Sequence, residues 1–159
     1  MSTIIVRPVE TTDIPAIAAL RAREWESEAY WIDRITNYLQ RKQSPHDAEP
    51  QRAAFVAVDG IALVGFVAGH RTRRLGCDGE LQWINVAEQS RRRGVAAKLI
   101  REIGAWFVEE NARRICVNVE PDNVGARRMY VRCGARPLSG RSHWMIWEDS
   151  RSIVASISE

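Results

Sequence analysis

Val86-Ala87-Glu88-Gln89-Ser90-Arg91-Arg92-Arg93-Gly94-Val95-Ala96-Ala97-Lys98-Leu99 is the stretch on which the reading of this 159-residue chain turns. Residues 80–86, with Leu81, Trp83 and Ile84, have the content of a buried strand, and Val95, Leu99, Ile103 and Trp106 give residues 94–110 one apolar helical face. A short polar turn joins them and ends on a glycine flanked by small residues. The first turn of a helix leaves backbone N–H groups unpaired, and the aligned peptide dipoles add roughly half a positive charge there. Gly94, Ala96 and Ala97 keep side chains out of the way, so those amides are open to an anion such as a phosphate. Arg91, Arg92 and Arg93 crowd further positive charge against the same end, a local conflict that an anion would relieve. The competing reading is an arginine-rich solvated loop before an ordinary helix.

Outward from this junction the chain alternates strands and helices. Residues 3–7 read as a strand, and Thr11-Thr12-Asp13 offer N-cap residues before a helix over 14–23 that carries Pro15 early. A second helix covers 28–41, with Trp31, Ile35, Tyr38 and Leu39 on one face, and 43–51 is a loop holding Pro45 and Pro50. Asp59-Gly60 between the apolar runs 53–58 and 61–69 predicts a two-residue hairpin. After a polar loop at 71–79 and the decisive stretch, 114–119 alternates as a strand. Pro121-Asp122-Asn123 opens a helix that Gly134 ends, Pro137 interrupts the next segment, and 142–147 is the last strand. This order predicts a mixed α/β fold: a central, mostly antiparallel sheet of six to seven strands flanked on both faces by about four helices. Residues 1–149 form one domain on this reading, and 150–159, which find no clear partner, form a loose C-terminal tail.

Composition narrows the function classes. With 45% hydrophobic and 27% charged residues the chain is that of a folded protein, not a disordered one. No apolar run reaches the ~18 residues a membrane helix needs, and the N-terminus lacks a basic region followed by a long apolar run, so no signal peptide is expected. Cys77, Cys116 and Cys133 are odd in number and lack CxxC spacing, which argues against a disulfide framework and a zinc site. A cytoplasmic protein without a metal is expected. The arginines bunch at 71–74, 91–93, 113–114 and 127–128, which suits RNA, DNA or a phosphorylated small ligand. The interleaved exposed aromatics of a single-strand binder are missing, so nucleic acid is not favoured.

Arg91-x-x-Gly94-x-Ala96 resembles the (Gln/Arg)-x-x-Gly-x-(Gly/Ala) motif of the N-acetyltransferase (GNAT) superfamily. Six residues are a weak signal, but a strand stands just upstream, as in that family. Asn123-x-x-Ala126-x-x-x-Tyr130-x-x-x-Gly134-Ala135 resembles a second family stretch and departs from it only in Ala135, where Phe is usual. The likeness covers about 52–148 well and the N-terminal helices in order only. It implies acetyl-coenzyme A as cosubstrate, with its pantetheine arm along Ile84, Asn85 and Val86, where the sheet splays open. The pyrophosphate would rest on the amides of Arg92, Arg93, Gly94, Val95, Ala96 and Ala97, with Arg91 adding charge. Asn123 would hydrogen-bond the coenzyme arm, Ala126 would make room for it, and Tyr130 would protonate the leaving thiolate.

Glu80 stands six residues before Val86, the spacing at which histone-acetylating relatives place a glutamate base. Read from the residues alone, Asn123 is equally an N-cap, Tyr130 a core tyrosine, and Glu80 a strand-end carboxylate facing solvent. The implied activity is acetyl transfer to a primary amine, on a small molecule or a protein, by direct attack. The alternative is a coenzyme A-binding regulatory module that transfers nothing. The acceptor and the oligomeric state, a homodimer included, are left open.

Overall fold

The computed structural model describes residues 3–157, so Met1, Ser2 and the end of the tail lie outside it. Seven strands form one sheet: β1 Ile4–Pro8, β2 Ala48–Asp59, β3 Ala62–Thr72, β4 Gly79–Val86, β5 Ile115–Asn118, β6 Arg136–Leu138 and β7 Arg141–Trp147, in the order β1-β2-β3-β4-β5-β7-β6. Five helices accompany it: α1 Ile14–Ala22, α2 Glu28–Leu39, α3 Val95–Glu109, α4 Val124–Arg132 and α5 Arg151–Ile157. Every adjacent pair of strands is antiparallel except β4 and β5, which are parallel and are connected through α3. Among the described residues no helix is long and apolar enough to cross a membrane.

Two boundaries move from the sequence reading for local reasons. The β2–β3 turn is Gly60-Ile61, closed by the pair Asp59↔Ala62, because Gly60 at φ 62° is the residue able to hold the first central position. Strand β2 starts at Ala48, inside the expected loop. Pro50 is tolerated because the register is broken between Ala48 and Arg52, where no ladder N–H is required.

Three glycines bring α3 close to the sheet. A Cβ on Gly65 would lie 2.8 Å from Leu99, on Gly69 2.9 Å from Phe107, and on Gly79 2.6 Å from Phe107. Side chains there would push the helix away from β3 and β4. The helix instead buries Val95, Leu99, Ile100, Ile103 and Phe107 almost completely, each contributing about 1.5–3 kcal/mol by burial. The other face carries α1 and α2, where the Trp83 ring of β4 meets Trp31 at 5.8 Å and Tyr38 at 4.8 Å.

Residues 150–157 pack against the rest of the fold, unlike the expected loose tail. Ser150 Oγ donates to the Ala112 carbonyl at 2.6 Å, and its backbone N–H donates to the Arg113 carbonyl at 2.7 Å. These bonds launch α5, whose Ile153 is buried against α3 where Gly104 leaves room: a Cβ on Gly104 would stand 2.7 Å from Ile153. Among the described side chains of this seven-residue helix only Ile153 is buried, which leaves too little periodicity to read. Ile153→Ala should cost about 2–5 kcal/mol in urea unfolding. A loose tail would give a change within ~0.5 kcal/mol.

Candidate active site

The parallel ladder between β4 and β5 is short. It consists of Gly79↔Ile115, Glu80↔Cys116 and Leu81↔Val117, and then the strands part. The cause lies on the other edge of β4, where Ala68 pairs with Trp83 but Gly69 pairs with Leu81. Gln82 is the extra residue of a β-bulge, and a bulge bends and twists its strand. Beyond it β4 runs on to Val86 beside β3 alone, while β5 keeps to β7 through Asn118↔Trp144. Among the described residues no backbone hydrogen bond joins 82–86 to β5. Ile84, Asn85 and Val86 therefore line an open edge.

At the end of that edge stands the N-terminus of α3. Arg92 (φ 70°) and Gly94 (φ 75°) are both left-handed, an arrangement that turns successive backbone N–H groups toward one concavity. The amides of Val95, Ala96 and Ala97 have no acceptor among the described residues, and no side chain caps them. A Cβ on Gly94 would meet nothing within 4 Å, so the space before these amides is open. The arginine conflict seen in the sequence is partly resolved by the fold itself. Arg91 Nη2 pairs with Glu24 at 3.2 Å and its Nε donates to the Val86 carbonyl at 3.3 Å. Arg93 pairs with Asp59 at 2.7 Å. Arg92 has no ion-pair partner among the described residues.

Asn123 caps α4: its side-chain oxygen accepts from the Ala126 N–H at 3.2 Å, which leaves its amide N–H₂ without a protein partner among the described residues. One turn on, Ala126 is half-buried, and Tyr130 is buried edge-on against Trp147, ring centres 5.6 Å apart. Burial pushes the Tyr130 phenol pKa well above its ordinary value, so the hydroxyl keeps its proton, as a proton donor must. No hydrogen bond to that hydroxyl exists among the described residues.

Glu80 does not face solvent. It is 4% exposed, with Oε1 3.4 Å from His70 Nε2 and 3.6 Å from Arg74 Nε. His70, wholly buried, meets the Tyr38 hydroxyl through Nδ1 at 2.8 Å. The signal for this cluster was present: once 71–79 is a connecting loop, antiparallel pairing sets His70 opposite Glu80. Strand alternation puts Glu80 on the α1/α2 face and Trp147, with Tyr130 against it, on the α3 face, so the two candidate groups flank the sheet from opposite sides.

Asn85 makes side-chain contacts that the sequence did not suggest. Arg21 Nη1 donates to its Oδ1, and its Nδ2 donates to Glu24 Oε2 at 3.2 Å. The Arg21 guanidinium lies 4.2 Å from the Trp31 ring centre, 5.3 Å from that of Trp83 and 5.5 Å from that of Trp25. Arg34 lies 5.1 Å from the Trp83 ring centre. Burial lowers the Arg21 pKa to about 10, which leaves it charged at neutral pH. Trp25 and Tyr30 are exposed at the rim, and Trp31 is buried beneath them. The arginines escaped notice because both interrupt helix faces read as apolar packing. Among the described residues no group of three or more His, Cys, Asp or Glu side chains could hold a metal ion.

The model of the acetyltransferase (GNAT) family matches residues 15–135, which takes in the bulged strand, the α3 cradle and α4. The chain belongs to this family. This GNAT chain is 43% identical over 75 residues to the mycothiol acetyltransferase of Corynebacterium diphtheriae, a stretch covering 43% of this chain and 24% of that protein. It is 30% identical over 100 residues to the L-2,4-diaminobutyric acid acetyltransferase of Methylotuvimicrobium alcaliphilum, covering 62% of this chain and 56% of that one. The chain thus spans less than two thirds of the length of either relative. Its backbone matches the PaiA N-acetyltransferase of Thermoplasma acidophilum, solved in complex with coenzyme A, at a TM-score of 0.69, covering 92% of this chain and 99% of that one. At 12% identity that likeness is one of fold.

Gly94→Glu puts a negative side chain before the free amides of the GNAT cradle. Coenzyme A affinity should fall by at least about tenfold, or ~1.4 kcal/mol, in titration calorimetry. Gly94→Ala carries the same left-handed strain without the charge and should lose less. Unchanged affinity in a folded Gly94→Glu protein would remove the pyrophosphate from this position.

Proposed function

We propose that the chain transfers the acetyl group of acetyl-coenzyme A to a primary amine, by direct attack of the amine nitrogen on the thioester carbonyl. The observation that carries this reading is the sheet opening beside β4 with acceptor-free amides at its mouth, a strand edge and an anion cradle in one line. In this reading the backbone at Ile84, Asn85 and Val86 takes the pantetheine arm, and the amides of 92–97 take the pyrophosphate. Arg91, held by Glu24, and Arg92 add positive charge beside them, while the charge of Arg93 is met by Asp59. Asn123 offers its free N–H₂ to the coenzyme arm beside the small Ala126. The enzyme acts in the cytoplasm as one domain, residues 1–149 with α5 docked on it. The names of the two relatives favour a small-molecule acceptor over a protein.

As the C–N bond forms and the C–S bond breaks, two protons must move. The departing thiolate takes one from Tyr130, whose buried phenol is neutral. The amine gives up the other to Glu80, directly or through a water, with His70 and Arg74 beside the carboxylate at 3.4 and 3.6 Å. The need for a base depends on the amine. Deprotonating a lysine-like amine at neutral pH costs about 4–5 kcal/mol, whereas an α-amine costs about 1 kcal/mol.

The decisive experiment is thiol release from acetyl-coenzyme A against a panel of amines: amino acids, diamines, aminoglycosides and peptide N-termini. Coenzyme binding without thiol release for any of them would leave the regulatory-module reading. With an active amine in hand, Tyr130→Phe should keep the fold and lower turnover toward 10²–10⁴-fold, roughly the span of general acid catalysis. Turnover within twofold of wild type in single-turnover kinetics would make Tyr130 structural. Glu80→Gln should lose most activity on a lysine-like amine near neutral pH and regain part of it at high pH, where the amine is already neutral. On an α-amine the same change should cost far less. A mutant-to-wild-type ratio that stays flat with pH on both amines would take Glu80 out of the mechanism.

A further inference from the structure

We propose that the acceptor bears a carboxylate and that Arg21 and Arg34, the two guanidinium groups against the Trp83 indole, receive it. The proposal rests on the transferase reading above and names the class of its second substrate.

Arg21 is 6% exposed, yet its Nε has no acceptor, and Nη1 of Arg34 is likewise buried without one. Neither arginine has a carboxylate within 4.0 Å among the described residues, and the charge of Arg34 is close enough to disfavour that of Arg21. Glu24, the acidic group nearest in effect, gives one oxygen to Asn85 and the other to Arg91. Burial disfavours the Arg21 charge and Glu24 offsets this only in part, while Arg34 adds a like charge beside it. The indoles of Trp31 and Trp83 answer part of this through their π faces. A ring face cannot satisfy the N–H groups that point outward in the guanidinium plane, and those form the fork that fits a carboxylate.

The location suits an acceptor. Trp83 and Asn85 lie on the open half of β4, on the face opposite α3, and Asn85 binds Arg21 directly. An amine held there by its carboxylate would meet the thioester from the side where Glu80 lies. The exposed rings of Trp25 and Tyr30 mark the way in. A purely structural Arg–Trp stack predicts something different: its loss would lower stability and leave substrate preference alone.

The test compares 2,4-diaminobutyrate, ornithine, lysine and glycine with their carboxamides in the thiol-release assay. An amide lowers the α-amine pKa and so favours reaction, which biases the comparison against the proposal. At least one acid should exceed its amide in kcat/KM by about thirtyfold or more, the low end for removing one partner of a buried charge pair. Arg34→Gln should raise the KM of that acid at least about tenfold, leave the KM for acetyl-coenzyme A within twofold and bring acid and amide together; Arg34→Lys should restore part of the preference. Arg21→Gln should do the same, and if it does not fold, the half-buried Arg34 carries the comparison. Acids and amides used equally, or a preference that survives Arg34→Gln, overturns the carboxylate site while the transferase reading stands. If no amine is acetylated, that reading falls, and calorimetric titration of the coenzyme A-loaded protein with the same acids and amides decides the site. Heat from an acid alone, abolished by Arg34→Gln, supports it, and no heat overturns it.

Discussion

Everything that makes this protein more than a covered sheet depends on β4 and β5 pairing for three residues and then separating. Two parallel strands joined by a helix would ordinarily run together for their shared length, since each unpaired N–H or C=O inside a protein is costly. Here the extra residue at Gln82 twists β4 off that course, and β7 holds β5 to its own. The resulting slot has backbone polar groups along one wall that secondary structure does not satisfy. A ligand able to pair with a strand edge can therefore enter where a side chain would not suffice.

The cradle at the mouth of the slot depends on packing far from it. Gly65, Gly69 and Gly79 let α3 settle onto β3 and β4, and Gly104 on its outer side lets α5 close over it. With its apolar face held, the helix has no freedom to retreat, and its first amides stand where β4 ends. The strain at Arg92, a non-glycine residue in left-handed backbone, is the local cost of that geometry, about 1–2 kcal/mol. The helix packing beneath it is what holds it there.

The features that sequence revealed were those written in local chemistry. The hairpin at Gly60, the Asn123 cap, the helix at 95–109 and the arginine-rich junction ending on Gly94 depend on neighbours within a turn or two, so their signal is contiguous; the cap expected at Asp13 fails because its carboxylate is taken by Arg7 and the Glu10 N–H. What it did not reveal required distant partners. Glu24 and Asp59 neutralise Arg91 and Arg93 from 67 and 34 residues away, so the charge conflict read at the junction overstated the need for an anion. Asn85 was legible as a strand residue, but its bonds to Arg21 and Glu24 depend on where α1 lands. The environment of Glu80 could be seen only after β3 and β4 were laid against each other. Helix α5 was lost because its seven residues are too few to show a period.

Glu24 holds one carboxylate oxygen against Asn85 and the other against Arg91, and so belongs to both halves of the cleft at once. On the proposed placement of donor and acceptor, the two binding events are energetically linked. An anion that draws Arg91 away alters the field that Asn85 and Arg21 feel, and an occupant that shifts Asn85 alters the grip on Arg91 by the same free energy. Glu24 and Arg91 are both partly exposed, so this linkage is screened by ions. On that placement the coupling between donor and acceptor follows ionic strength, strongest in dilute salt and fading as the Debye length shrinks.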